Sequence, residues 1–590
     1  MKKLLLAVVG LVVIAVVLVV LLHRPETTPS AVTLLPDSTI ALVDIPDFQS
    51  CRDKVAASPV ARFCQEPEVR ACLERQLAAS LGGQPGSTNL NALLTETTLA
   101  LPNGEAFLAV MRMTLLPALQ CTFAAGVDLR GHKMATQASL KVYEYELRKH
   151  NSAAIVSVKK FHGVKYSVWQ TAPGVQLCHT FFGSLLVFTT DEETLCDMIA
   201  RAAGKAEAPG LTANAGYQNS LRQLPEPRDL HAYVNIEQLV GRFGLPLFIA
   251  MPNNPFVQQL ADMQAWGTGI TFGETNVTDV GVTTFTKPHQ PAPPLQQTTL
   301  VAAPADSTLY LAGTPDLAAT YRTLVDVIKA VGPRDTAQLV AGIEFMLAFT
   351  GTRIDNDFLA KLGPEVALIG NWRPGATVPD LALVAEVRDQ PEMVGKFRRI
   401  ARVLDTTLKT TDQLPVADET LHVVHTASGY ASPTFALMDK FFVLALTADY
   451  AREIVTQIKT GTTVLPIPAG GSSIASCDMR QFLAGLYSLT GSNTVMQLGQ
   501  LPAPETIAKH VGSYTAMTIA TNNTSRTTTH SVLGKPVTAL VTLVGAFVAA
   551  EPWLARLPIV IPGLPTTSSS TPAHAPPADN QTATSQTPSP

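Results

Sequence analysis

His422 and His425, in the stretch LHVVHT, are the nearest thing to a ligand pair in this chain. A strand sends residues three apart to opposite faces, which is the wrong geometry for two histidines to share a metal ion. Asp191, Glu192 and Glu193 stand where an apolar strand pattern gives way to a helical one, and Asp449 stands in a comparable place later. Carboxylates at a helix start are explained by capping and by the positive end of the helix dipole, without acid or base chemistry. Pro468-Ala469-Gly470-Gly471-Ser472-Ser473 is glycine-rich but lacks the lysine of a phosphate-binding loop and any G-x-G-x-x-G spacing, so it reads as a turn. No G-x-S-x-G elbow and no H-E-x-x-H occur, and the serines and histidines show no spacing that argues for nucleophilic catalysis. No residue is therefore assigned a catalytic, cofactor-binding or metal-ligating role. No cofactor is expected, and a non-enzyme is.

Seven cysteines occur, six of them early (Cys51, Cys64, Cys72, Cys121, Cys178 and Cys196) and Cys477 alone later. The intervals between Cys51, Cys64 and Cys72 do not match the paired C-x-x-C spacing of zinc ligands. Two readings stay open: disulfides among these three in an oxidising compartment, or buried, inert thiols.

The elements that must position these residues begin at the amino end. Leu4 to Leu22 is an uninterrupted apolar run, preceded by Lys2 and Lys3 and closed by His23 and Arg24. As a helix it reaches about 28 Å, close to the roughly 30 Å hydrocarbon thickness of a bilayer. The run exceeds the apolar region of a cleaved signal and no small-residue cleavage site follows it, so it reads as an uncleaved transmembrane signal anchor. The positive charges favour the amino terminus inside and the bulk of the chain outside the cytoplasm, on the periplasmic or extracellular side of the cytoplasmic membrane.

At 590 residues the chain exceeds the size of one core. Charged residues are only 15% and the net charge is −4, without a basic stripe, which removes the electrostatic footprint of a nucleic-acid binder. Leu34 to Asp47 reads as turn, strand and helix start, and the same pattern returns at Ala302 to Asp316: Asp37-Ser38-Thr39 matches Asp306-Ser307-Thr308, and Pro46-Asp47 matches Pro315-Asp316. The helix after the second has Leu317, Tyr321, Leu324, Ile328 and Val331 on one face. The series continues in order. Gly104 to Ala109 resembles Gly363 to Leu368, Phe181 to Asp191 parallels Phe441 to Asp449, and Gly267 to Pro288 resembles Gly512 to Pro536.

The expected organisation is a signal anchor (1–24), a tether (25–32), a first α+β copy (33–290), a Pro-rich linker (291–297), a second α+β copy (298–536), an apolar helix, packed or interfacial (537–562), and a disordered Pro/Thr/Ser tail (563–590). The fold class is α+β: two tandem copies of a mostly antiparallel sheet-plus-helices unit. Val537 to Ala550 is too short for a comfortable span and suits a packed or interfacial helix.

With the anchor, the Leu35-Pro36-Asp37-Ser38-Thr39 and Pro304-Ala305-Asp306-Ser307-Thr308 segments and the strand-to-helix aspartate, the chain resembles an uncharacterised family of bacterial exported, membrane-anchored proteins, a domain of unknown function, here as two internal copies. The resemblance implies a bacterial envelope location and brings no catalytic residues. The expectation for function is a membrane-anchored extracytoplasmic protein, a non-enzymatic binding or scaffold protein with a protein or lipid ligand. The alternative is an envelope hydrolase with a site formed between the copies.

Overall fold

The computed structural model describes residues 28–535, apart from segments 81–102, 115–119, 151–153, 173–174, 244–254, 332–340, 409–410, 426–431, 462–464 and 489–501 and some shorter stretches within 343–389. The expected anchor Leu4 to Leu22, the helix 537–562 and the tail 563–590 lie outside these residues. Among the described residues no helix is long and apolar enough to cross a membrane.

The chain is α+β. Its strands, in order, are β1 (Ala41–Ile45), β2 (Ala106–Thr114), β3 (Gln120–Asp128), β4 (Ile155–Phe161), β5 (Val164–Ala172), β6 (Val175–Phe182), β7 (Leu185–Thr189), β8 (Leu230–Val234), β9 (Met263–Phe272) and β10 (Val277–Phe285), then β11 (Leu309–Gly313), β12 (Leu362–Asn371), β13 (Asp380–Val387), β14 (Thr411–Val416), β15 (Glu419–Val424), β16 (Thr434–Leu437), β17 (Phe441–Ala445), β18 (Ser473–Asp478), β19 (Ser513–Ala520) and β20 (Thr524–Ser531). All join in one sheet through antiparallel pairs, in the spatial order β4-β5-β6-β7-β3-β2-β1-β8-β9-β10-β20-β19-β18-β11-β12-β13-β17-β16-β15-β14. The seam is β10 against β20, with Val277 opposite Ser531 and Thr284 opposite Thr524.

Local chemistry sets the connections. β4 and β5 are joined by His162 and Gly163, both at positive φ (44° and 88°), the geometry that matches the twist of a two-residue hairpin. Asp47 starts the Phe48–Ala57 helix by accepting from Ser50 N, and Asp316 starts the Leu317–Val331 helix by accepting from Ala319 N, each cap worth about 1 kcal/mol. At the outer strands, Lys159 and Lys160 on β4 and Pro415 on β14 blunt the unpaired edges.

Alternation along the strands divides the apolar residues between the two sheet faces. On one face Leu34, Leu42, Val187, Leu195, Ile199 and Tyr233 form one core, and Tyr310, Val384, Val443, Tyr450 and Ile454 form a second. A third cluster joins distant parts of the chain. Phe63 and Val69, on the Pro59–Gln65 and Pro67–Ser80 helices, pack with Trp372, Met479, Leu483, Ile507 and Val511. Glu66 accepts from His510 at 2.8 Å, and Glu68 accepts from Ala503 N and Thr506 Oγ1, tying those helices across the seam.

Two cross-strand rows on the other face stay partly open. Val43 lies opposite Leu108, Leu108 opposite Ala125, and Ala125 opposite Phe188; Leu311 lies opposite Leu368, Leu368 opposite Leu383, and Leu383 opposite Leu444. Directly opposed residues share a face. Leu108 is 50% exposed, and Val43, Leu311 and Leu444 are between 36% and 39%.

Three details differ from the sequence reading. The amide of Thr39 donates to Pro36 O, and that of Ser307 donates to Pro304 O, so Thr39 stands with Ser307 and the Asp-Ser-Thr match is one residue out of step. Phe181 and Phe182 close β6, whereas Phe441 and Phe442 open β17; the strand comparable to β17 is β7, which begins at Leu185. Asp449 does not cap its helix: Thr447 does, accepting from Tyr450 N, and Asp449 is the second residue of the first turn, paired with Arg452.

Candidate functional site

The residues singled out in the sequence do not converge. His422 stacks on Phe435 with ring centroids 5.3 Å apart and meets Phe397 edge-on, while His425 faces Asp412 at 2.7 Å in the outermost hairpin. Asp191 caps the Glu192–Ala202 helix through Thr194 N, and Glu192 accepts from Lys159 and Tyr166. Gly470 turns at φ 95° just before β18, which is a turn's work. All seven cysteines are free thiols. The disulfides considered among Cys51, Cys64 and Cys72 are not formed: the three lie on successive helices, with Cys51 buried and Cys64 exposed. Burial pushes the Cys477 thiol up to about 12, so it is inert at neutral pH.

Three clefts are open at the surface. One of about 580 Å³ lies between Asp47, Ser50, Asp53, Lys54, Asn103 and Phe272; one of about 550 Å³ lies between Thr298, Glu386, Met438, Lys440, Phe441 and Ile458; one of about 370 Å³ is lined by Tyr321, Arg322, Glu344, Arg353 and Asp355. None of the three is lined by a histidine or a cysteine. Among the described residues no group of three or more His, Cys, Asp or Glu side chains could hold a metal ion.

The strongest concentration of polar chemistry is inside the sheet. Register places Phe107, Asp44, His231 and Gly269 in one row across β2, β1, β8 and β9. The row across β12, β11, β18 and β19 is Ala367, Ala312, Ile474 and Met517, entirely apolar. Asp44 is 7% exposed and His231 1%. The stem of Arg228 lies over Gly269, and Tyr217 meets His231 edge-on at 5.7 Å. Burial, reinforced by Glu105, pushes the Asp44 carboxyl from 3.8 up to about 7; burial, reinforced by Arg228, brings His231 from 6.5 down to about 4. Asp44 Oδ1, His231 Nε2 and Arg228 Nε have no hydrogen-bond partner, an arrangement that costs stability and is absent from the apolar row.

Glu105, beside Asp44, does a second job. It accepts from Ala31 N at 3.0 Å and from Ser30 Oγ at 2.9 Å, holding the segment that leads into β1. Asp128 adjoins it, taking Ser184 Oγ at 2.6 Å, and Ser184 meets Thr28 Oγ1 at 2.7 Å. Gly104 is required there because any side chain would collide with the Asp128 carboxylate. The segment leading into β11 is held in the same manner: Glu365 accepts from Gln297 N, Thr299 N and Thr299 Oγ1, and Glu386 accepts from Thr298 Oγ1 and Glu365 N.

Sequence reasoning used Glu105 and Glu365 only as repeat markers. Asp44, Arg228, His231 and Tyr217 carried no signal, because their proximity exists only once β1 and β8 are paired. No curated protein and no solved structure matches the chain. Residues 136–428, from within the Lys133–His150 helix to just past β15, match a family model described as a protein of unknown function (DUF3352), which supports an uncharacterised domain of that kind in this chain.

Proposed function

We propose that the chain is a duplicated, membrane-anchored binding protein of the cell envelope, and that it holds a partner protein against the apolar rows of its sheet. Duplication is supported by the strand order: β4-β5-β6-β7-β3-β2-β1-β8-β9-β10 and β14-β15-β16-β17-β13-β12-β11-β18-β19-β20 are the same path walked twice, meeting at the seam. The paired glutamate latches and the equivalent helix caps at Asp47 and Asp316 support it further. Anchoring and an extracytoplasmic body rest on the Leu4 to Leu22 run and its flanking charges.

The observation that carries the binding reading is the recurrence of one feature at equivalent places: Val43-Leu108-Ala125-Phe188 and Leu311-Leu368-Leu383-Leu444, partly exposed on the same sheet face. Apolar rows left open twice are a docking surface rather than an accident of one strand. A flat sheet face suits the apolar side of a protein element better than a free acyl chain, which needs an enclosed cavity.

The test is photo-crosslinking in intact cells from positions 108 and 368, with position 53 as a control on a polar cleft. The expected outcome is one discrete protein adduct shared by positions 108 and 368, lost on Val43→Glu or Leu311→Glu and absent at 53. Adducts to lipid alone, or none, would overturn the reading.

A further inference from the structure

The chain leaves the described residues on the face that carries the open rows. After β20, Val532 and Leu533 pack in the cluster that crosses the seam, Gly534 turns at φ 81° against Val277, and Lys535 N donates to Asp279 Oδ2 at 2.8 Å. The chain thus runs over β10 from Val277 past Asp279, toward Gly281. Residues two apart on a strand share a face, and so do directly opposed residues. Gly281 lies opposite Thr268, Thr268 opposite Ala232, and Ala232 opposite Val43, so Lys535 stands on the face of the Val43-Leu108-Ala125-Phe188 row and heads into its line. We propose that Val537 to Ala550, separated from Lys535 by Pro536 alone, lies as a helix across this row and is its occupant whenever no partner is bound.

The sequence of the segment matches the surface it reaches. Its fourteen residues, VTALVTLVGAFVAA, carry no charge. On helical spacing Val537, Leu540, Val541, Val544, Phe547 and Val548 fall on one side, and Thr538, Thr542, Gly545, Ala546 and Ala549 fall on the other. One large apolar side and one small, weakly polar side suit a helix laid on a surface, whereas a bilayer span needs about 20 apolar residues. Length agrees as well. From Gly281 to Leu108 is four strand steps, about 19 Å, and a fourteen-residue helix is about 21 Å long. The row is also the more open of the two: Leu108 is 50% exposed, Val43 39%, and Phe123, on the same face two residues from Ala125, 38%. The contact does not depend on the partner reading; a partner that takes this row must displace the segment, while the Leu311 row stays free.

The test is photo-crosslinking from position 108 in the purified full chain in lipid nanodiscs, with position 368 as the comparison. An equal mixture of isotopically light and heavy chains is used, and links are mapped by peptide mass spectrometry. The expected result is a link from 108 to residues 537–550 of the same chain, about tenfold stronger than any from 368. Val544→Glu, which puts a charge on the apolar side, should weaken that link by about tenfold or more, and Thr542→Glu, on the opposite side, should leave it within about twofold. Both substitutions lie past β20 and outside the sheet. No link, a link to lipid alone, a link to the segment of another chain, or an equal loss in both variants would overturn the proposal. Any of these leaves the intermolecular adducts in intact cells, which test the partner reading, to be judged separately.

Discussion

The Asp44–His231 row makes a quantitative prediction about stability and pH. Asp44 titrates at about 7 in the fold against 3.8 ordinarily, and His231 at about 4 against 6.5. Each shifted unit is 1.36 kcal/mol, so the two contributions are ~4 and ~3 kcal/mol at full effect. The raised Asp44 contributes stability that is complete below pH 3.8 and lost as pH rises through about 7. The depressed His231 contributes stability that is complete above pH 6.5 and lost as pH falls through about 4. Between these limits the two slopes oppose and nearly cancel, so neither shows in the profile of the natural protein. Single substitutions unmask each half. Relative to the natural protein, Asp44→Asn should gain ~3 kcal/mol of stability from pH 4 to pH 6.5, because the Asp44 slope is removed; His231→Leu should lose ~3 kcal/mol over the same range, because the His231 slope is removed. Urea-midpoint series at several pH values on the purified proteins read both differences. If both variants keep the pH profile of the natural protein, the two side chains do not carry these shifts and the account of the row is wrong.

Tyr450 is fully buried with its hydroxyl unpartnered, so Tyr450→Phe is expected to stabilise the chain by about 1 kcal/mol, seen as a raised midpoint in thermal melts. Phe63, 7% exposed within the cluster that crosses the seam, should cost about 3 kcal/mol as Phe63→Ala and should speed proteolysis of the Pro59–Ser80 helices before the sheet is lost.

Much of the fold was legible because its signals are local. The segments Leu34 to Asp47 and Ala302 to Asp316 read as turn, strand and helix start, and each does run from a strand into a helix, with Asp47 and Asp316 as the caps. The slip of one residue between Asp37-Ser38-Thr39 and Asp306-Ser307-Thr308 shows the limit of identity as a guide. Side-chain letters match, but the turn bonds are made by Thr39 in one segment and Ser307 in the other, and one residue decides which face of a strand is inward. With that register Asp44 falls on Ala312 and His231 on Ile474, which is where the polar row becomes visible. The open apolar rows were hidden for a related reason: Leu108 and Leu368 look like any core leucine until their exposure is seen, and the same face also carries a core, in which Leu383 packs with Phe358, Met393, Phe397 and Phe442.

The seam between β10 and β20 has a consequence for the order of assembly. Its strands are the tenth and the last described, so the first ten strands can be complete while β10, nine residues rich in valine and threonine, still lacks its second neighbour. That neighbour is β20, the last strand described, and it cannot arrive until Ser531 has been synthesised. During that interval an aggregation-prone ribbon edge is bare at the middle of the future sheet, and the pairing that closes it spans nearly half the chain. The longest-range pairing of the chain therefore sits at the middle of the sheet, where β10 and β20 are each already held on their other side by β9 and β19.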